Sequence, residues 1–146
     1  EYVSQNAEKE QDRVFCHHDM GHFLDVARLA EILNLTEAYG QDAELIYAAA
    51  LLHDIGRHIQ YETGEDHALV SARMAPAILK ECGFMQEEAE QIVSAIATHR
   101  LAEVRDRKDL NGLLYRADKL SRPCYCCKQE SACNWKGDKK NRQLIW

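Results

Sequence analysis

Proline is nearly absent from this chain, with only Pro76 and Pro123 in 146 residues. No Ser/Gly-rich linker and no repeat of fixed period interrupts the sequence, so nothing marks a boundary between domains. Long apolar runs are also missing. The longest, Leu45 to Leu52, has eight residues, well short of the ~20 that cross a bilayer as a helix. The opening stretch, Glu1 to Asp12, is polar and lacks the apolar core of a secretory signal, so a cytoplasmic location and no membrane partner are expected. The chain begins on Glu1 rather than on an initiator methionine, which leaves room for residues upstream. Positive charge is in deficit, with 18 Lys and Arg against 24 Asp and Glu and a net charge of -6. That balance argues against general nucleic-acid binding, although bound cations can reverse the sign locally for a small anion.

What is present fits one soluble globular domain. Apolar residues make up 46% and charged residues 29% of the chain, an ordinary balance at a length that buries a core without staples. The apolar positions recur at helical spacing. Phe23, Val26, Ala27, Ala30 and Leu33 form one stripe, with Arg28 and Glu31 off it. Asp42 to Ile55 is apolar nearly all round, as in a central helix, and Gly56 follows where a terminator is wanted. Asp66 can cap a helix from His67 to about Cys82, ended by Gly83, but Pro76 should kink or split it. Gln86 to His99 and Leu110 to Leu120 carry the same periodicity, and no segment alternates as a strand does. The expected fold is all-α, a compact single-domain bundle of five to seven helices. Its parts would be a polar N-terminal helix or extension over 1–14, a core over 15–123, and a cysteine-containing tail over 124–146. From Asn134 onward, with Lys136, Lys139 and Lys140, that tail reads as solvated or loosely attached.

The sharpest chemical feature is His53-Asp54, at the end of the most apolar segment. An imidazole and a carboxylate beside a buried run need a partner to offset desolvation, either a metal or a hydrogen-bonded closure of the helix end. His22, His67, His99 and Asp118 each fall at an end or on an inward face of a separate expected helix. Bundle proteins assemble dinuclear sites from such inward side chains. Mixed imidazole and carboxylate ligation suits one or two divalent transition ions, Fe or Mn first and Zn, Co or Ni after them.

The order His22, His53-Asp54, Asp118 resembles the H…HD…D signature of the HD superfamily, and Leu51-Leu52-His53-Asp54-Ile55-Gly56-Arg57 is similar to its central motif. The resemblance covers roughly His18 to Arg122 and implies an all-α, metal-dependent phosphohydrolase. It implies that His22, His53, Asp54 and Asp118 bind one metal. In the dinuclear branches, which include HD-GYP phosphodiesterases and HD-type diadenosine tetraphosphate hydrolases, two further histidines bind a second. His67 and His99 match them, with Asp54 as the bridge. Thr98-His99-Arg100 stands where HD-GYP proteins often have a histidine pair, and no GYP motif follows, which argues against a cyclic-di-GMP enzyme. Four neutral histidines and two aspartates carry about -2, so two divalent ions would leave roughly +2 to attract phosphate.

Around this set, His18 lies one helical turn before His22 and is a substrate candidate, while His17 and His58 read as surface residues. Arg57 and Lys119 are candidates to neutralise a phosphate and assist Asp54 in catalysis, with a solvated surface role as the alternative for each. Arg100 and Arg122 could complete an anion pocket. Six cysteines without a signal suggest reduced thiols or metal ligands rather than a disulfide framework. Cys124, Cys126, Cys127 and Cys133 cluster within ten residues, but Cys124-x-x-Cys127 has no second pair to complete a zinc module. Packed or redox-sensitive thiols are therefore the expectation, with structural zinc as the alternative.

The functional expectation is hydrolysis of a phosphoester or phosphoanhydride, in a nucleotide or related phosphorylated metabolite, by a metal-activated hydroxide. Di-iron oxygenase chemistry on the same fold and a non-catalytic nucleotide-binding module are the alternatives, and a homodimer is compatible with either.

Overall fold

Four aspartates start four of the helices. Asp19, Asp42, Asp66 and Asp109 each accept a backbone N–H of the following turn, from His22 at 3.1 Å, Glu44 at 2.8 Å, Ala68 at 2.8 Å and Gly112 at 3.1 Å. Each satisfies a donor that the helix itself leaves free. The computed structural model describes residues 1–144, so the last two residues of the expected tail lie outside it. The helices are α1 (Tyr2–Lys9), α2 (Met20–Glu37), α3 (Ala43–Leu52), α4 (Arg57–Thr63), α5 (His67–Glu81), α6 (Gln86–Thr98) and α7 (Leu110–Leu120). Short 3-10 turns follow α6 and run through the tail, and no strand occurs among the described residues.

The core is built where α2, α3, α6 and α7 meet, with α5 against α6, α4 against α5 and α1 against α4. Val26, Ile46, Leu79, Ile92, Ile96, Leu113 and Leu114 are buried there, each worth about 1.5–3 kcal/mol of transfer free energy. Ala27, Ala30, Ala49, Ala50, Ala75, Ala95 and Ala117 are buried among them, and small side chains let the helices approach closely. All five residues of the expected α2 stripe are buried.

Three expectations change. Pro76 does not split its helix: α5 runs unbroken from His67 to Glu81 with Pro76 on its exposed face. Gly83, at φ +87°, terminates it as expected. Gly56 is not a left-handed terminator, since its φ is -86°. A Cβ there would come 2.6 Å from Val70 Cγ1 and 2.8 Å from the Ser71 nitrogen, so glycine permits the turn after α3 to lie directly on α5. The tail is attached rather than loose. Asn141 donates to the carbonyls of Lys119 and Leu120 at 2.9 Å each, closing the C-terminus of α7. Lys140 donates to the Glu130 carbonyl at 2.6 Å, and Arg122 lies 4.1 Å over the Trp135 ring.

Candidate metal centre

Two helices end in the same local device. His53 follows α3 and His99 follows α6 as C-cap residues. Each ring Nδ1 donates to the carbonyl three residues back, His53 to Ala50 and His99 to Ile96, both at 2.7 Å. The bond satisfies a helix-end carbonyl and fixes the tautomer, leaving Nε2 with its lone pair turned into the bundle. His67, first residue of α5, has its Nδ1 2.6 Å from Gln60 Oε1 on α4. His22, in the first turn of α2, has its Nδ1 3.3 Å from Ser121 Oγ, whose own hydroxyl donates to the Asp118 carbonyl at 2.8 Å. An acceptor at each Nδ1 leaves all four Nε2 atoms free for a cation.

These four nitrogens converge on Asp54, which lies in the turn between α3 and α4 and is 2% exposed. Asp54 Oδ1 is 3.0 Å from His67 Nε2 and 3.5 Å from His99 Nε2. Oδ2 faces the other way, 3.7 Å from His53 Nε2 and 4.0 Å from His22 Nε2. Asp118, in the last turn of α7, brings Oδ1 to 3.7 Å from His22 Nε2 and 3.9 Å from His53 Nε2. One carboxylate thus stands between two sets of donors, His67 and His99 on one side and His22, His53 and Asp118 on the other.

The arrangement fits a cation on its own geometry. His22 Nε2 and His53 Nε2 approach to 3.3 Å, and with both Nδ1 atoms protonated their lone pairs oppose each other. Asp54 Oδ1 is buried without a hydrogen bond among the described residues, a costly state for a carboxylate unless a positive charge sits beside it. Burial holds the His53 imidazole down to about 3 and also pushes His67 and His18 down, so these rings stay neutral at neutral pH. Burial pulls Asp54 upward, yet its carboxyl is held well below the usual range, with the Arg57 guanidinium beside it. Asp118 is likewise kept ionised against burial, chiefly by Lys119.

The remaining candidates separate into two groups. His18 is at the centre: its Nε2 is 3.7 Å from Asp54 Oδ2 and accepts from Arg57 Nη2 at 2.8 Å, while its Nδ1 donates to Glu10 Oε1 at 2.6 Å. Arg57 points inward too, with Nε 3.5 Å from Asp54 Oδ2 and buried without a hydrogen bond among the described residues. Lys119 is ion-paired with Asp118. Arg100 instead pairs with Asp66 at the surface, and Arg122 is turned onto Trp135 and the Lys139 carbonyl. His58, read as a surface residue, is partly buried and stacks on Tyr2, whereas His17 is exposed.

Several supporting residues escaped sequence reasoning. Asn6, fully buried on α1, donates to the Asp54 carbonyl at 2.9 Å and accepts from the His58 N–H at 2.8 Å. Glu10 anchors His18 and accepts from Tyr61 Oη at 2.5 Å. Burial opposes its ionisation, but the His18 and Tyr61 hydrogen bonds lower its carboxyl to about 2. Gln60 and Ser121 orient His67 and His22. The one available signal was the spacing Tyr2, Asn6, Glu10, a single helical face whose buried members are polar.

Comparison with known proteins agrees with the fold and the motif. The HD domain family model matches residues 19–122. An uncharacterized protein of Clostridium beijerinckii is 44% identical across 99% of this chain and 90% of its own length. Ribonuclease Y of Rubrobacter xylanophilus is 34% identical over 55% of this chain, which matches only 14% of that enzyme. A solved structure of a predicted HD superfamily hydrolase from an uncultured Thermotogales bacterium superposes with a TM-score of 0.63 at 31% identity, covering 82% of this chain and 65% of that one. The chain belongs to the HD domain family.

Proposed function

We propose that this protein hydrolyses a phosphoester or phosphoanhydride bond in a small phosphorylated substrate of the nucleotide class. The observation that carries the reading is Asp54, whose two oxygens face separate sets of imidazoles. His22, His53, Asp54 and Asp118 would hold one divalent transition ion, and His67 and His99 a second that shares Asp54. When bound, such ions supply Lewis acidity, charge neutralisation and water activated for attack at phosphorus. The chain's own residues do the rest. The Nδ1 hydrogen bonds of His53 and His99 hold their rings in register, which lowers the reorganisation needed on binding. Arg57 presents a buried, unsatisfied Nε–H beside Asp54, a donor suited to a phosphate oxygen. Lys119 keeps Asp118 ionised and adds positive charge at the rim.

The test is a screen of the chelated and metal-reloaded protein against nucleotides, dinucleoside polyphosphates, phosphorylated metabolites and short RNA, the last because partial relatives are ribonucleases. Phosphate release or phosphodiester cleavage should appear on reloading and proceed equally without O₂, whereas an O₂ requirement would point to oxygenase chemistry. Asp54→Asn should lose nearly all turnover and bind less metal, measured by elemental analysis of the folded variant. Wild-type metal content and turnover in that variant would refute the assignment.

A further inference from the structure

A second concentration of metal-binding chemistry lies outside the histidine cluster. Cys16, in the segment before α2, and Cys124, Cys126, Cys127 and Cys133, in the tail after α7, line one cavity of about 410 Å³. They are free thiols, and their exposure sorts them: Cys16, Cys124, Cys127 and Cys133 are half-buried, while Cys126 and the remote Cys82 are exposed. The sequence shows three of the four as an incomplete motif, Cys124-x-x-Cys127 followed by Cys133. Folding supplies the fourth, from more than a hundred residues away. Arg122 and Lys140 also line the cavity, and cations beside sulfur suit a site whose thiols have given up their protons. Burial pushes the Cys16 thiol up, and neighbouring Cys124 and Cys133 push it further.

We infer that Cys16, Cys124, Cys127 and Cys133 bind an iron–sulfur cluster, at a site separate from the histidine centre. Four cysteine thiolates are the common ligand set of such clusters. Zinc can use the same set, and spacing decides between them. A zinc tetrathiolate, with Zn–S near ~2.3 Å, gathers its sulfurs to within about 4 Å of one another. Among the described residues, no group of three His, Cys, Asp or Glu donor atoms within 4.8 Å of one another includes a thiol. The four half-buried cysteines instead line a cavity of about 410 Å³, room for a group larger than one ion. His22 and Ser121 also line the cavity, so the cluster would tie the segment before α2 to the tail after α7 beside the histidine centre.

The test is anaerobic reconstitution of the full chain with iron and sulfide. Acid-labile sulfide is the deciding readout, because the histidine centre contributes none. We expect about four sulfides per chain, as in a [4Fe–4S] cluster, with a broad visible absorption that bleaches on reduction. Cys124→Ser with Cys133→Ser should lose sulfide and absorption, while Cys82→Ser and Cys126→Ser retain both. If the double variant does not fold, the sulfide stoichiometry of the wild type still decides. Absence of bound sulfide in reconstituted wild type overturns the inference, as does its retention in the folded double variant. One thiol-dependent zinc per chain without sulfide would overturn the choice of a cluster.

Discussion

At the scale of single residues, the histidine centre is organised by what each ring does with its outward nitrogen. His22, His53, His67 and His99 each face an oxygen acceptor through Nδ1, so a substitution at Gln60 or Ser121 acts on the centre without touching it. Arg57 differs from the candidate ligands because it reaches both His18 and the edge of Asp54 while leaving Nε–H unused. Arg57→Ala should therefore keep its metals, counted by elemental analysis, yet lose about 100-fold or more in kcat/KM on the best substrate found. Arg57→Lys should recover only part of the loss, since a point charge replaces a planar fork. Equal kcat/KM in both variants and wild type would move the phosphate contact away from Arg57.

At the scale of elements, the turn between α3 and α4 carries His53, Asp54 and Gly56, and two neighbours hold it from opposite directions. From one side α1 inserts Asn6, whose amide donates to the Asp54 carbonyl. From the other, α5 packs Val70 and Ser71 against Gly56, with Ser71 Oγ accepting the Gly56 N–H at 2.9 Å. A methyl group at position 56 has no room without moving one of these helices. Gly56→Ala should thus cost about 1–3 kcal/mol in chemical denaturation and weaken metal binding as well, because displacing the turn displaces Asp54. A variant with unchanged stability and metal affinity would show that the turn absorbs the methyl group elsewhere. Hydropathy did not reveal α1's role, since Asn6, which it buries, and Glu10, which caps it, are both polar.

At the scale of the whole molecule, the buried polar groups set how the metal-free protein responds to acid. Glu10 has its carboxyl lowered to about 2 in the fold, so its contribution is complete above about 4.5 and is lost as pH falls from there toward 2. His53 is held neutral down to about 3, so the unfolded chain takes up its proton first and stability falls as pH drops below about 6.5. Denaturant midpoints of the chelated protein should therefore decline in two stages on acidification. Glu10→Gln should flatten the stage below pH 4.5 and leave the upper one in place; an unchanged lower stage would mean that other carboxylates dominate it.

Helical periodicity and the Asp66 cap were legible in the sequence because both depend on residues within a turn or two of each other. The all-α class followed from them, with most of α2, α3, α5, α6 and α7, while the HD motif was legible as a resemblance, from the order His22, His53-Asp54, Asp118. Local rules also misread particular positions. Pro76 was judged by its effect on an isolated helix, yet at the exposed face of α5 it leaves the helix continuous. Gly56 was read as a conformational stop, when the constraint is steric contact with a segment fifteen residues onward. The candidate ligands could be named from type and order alone, but which oxygen of Asp54 faces which imidazoles depends on four helices arriving together. The same holds for Glu10 beside His18, Arg122 turned away onto Trp135, and Cys16 beside the tail cysteines. Sequence by itself determined what each segment can form and what chemistry its side chains carry, since propensity and ligand type are local properties. Only the tertiary structure decided which of those side chains meet, because burial and contact between distant segments are properties of the packed chain.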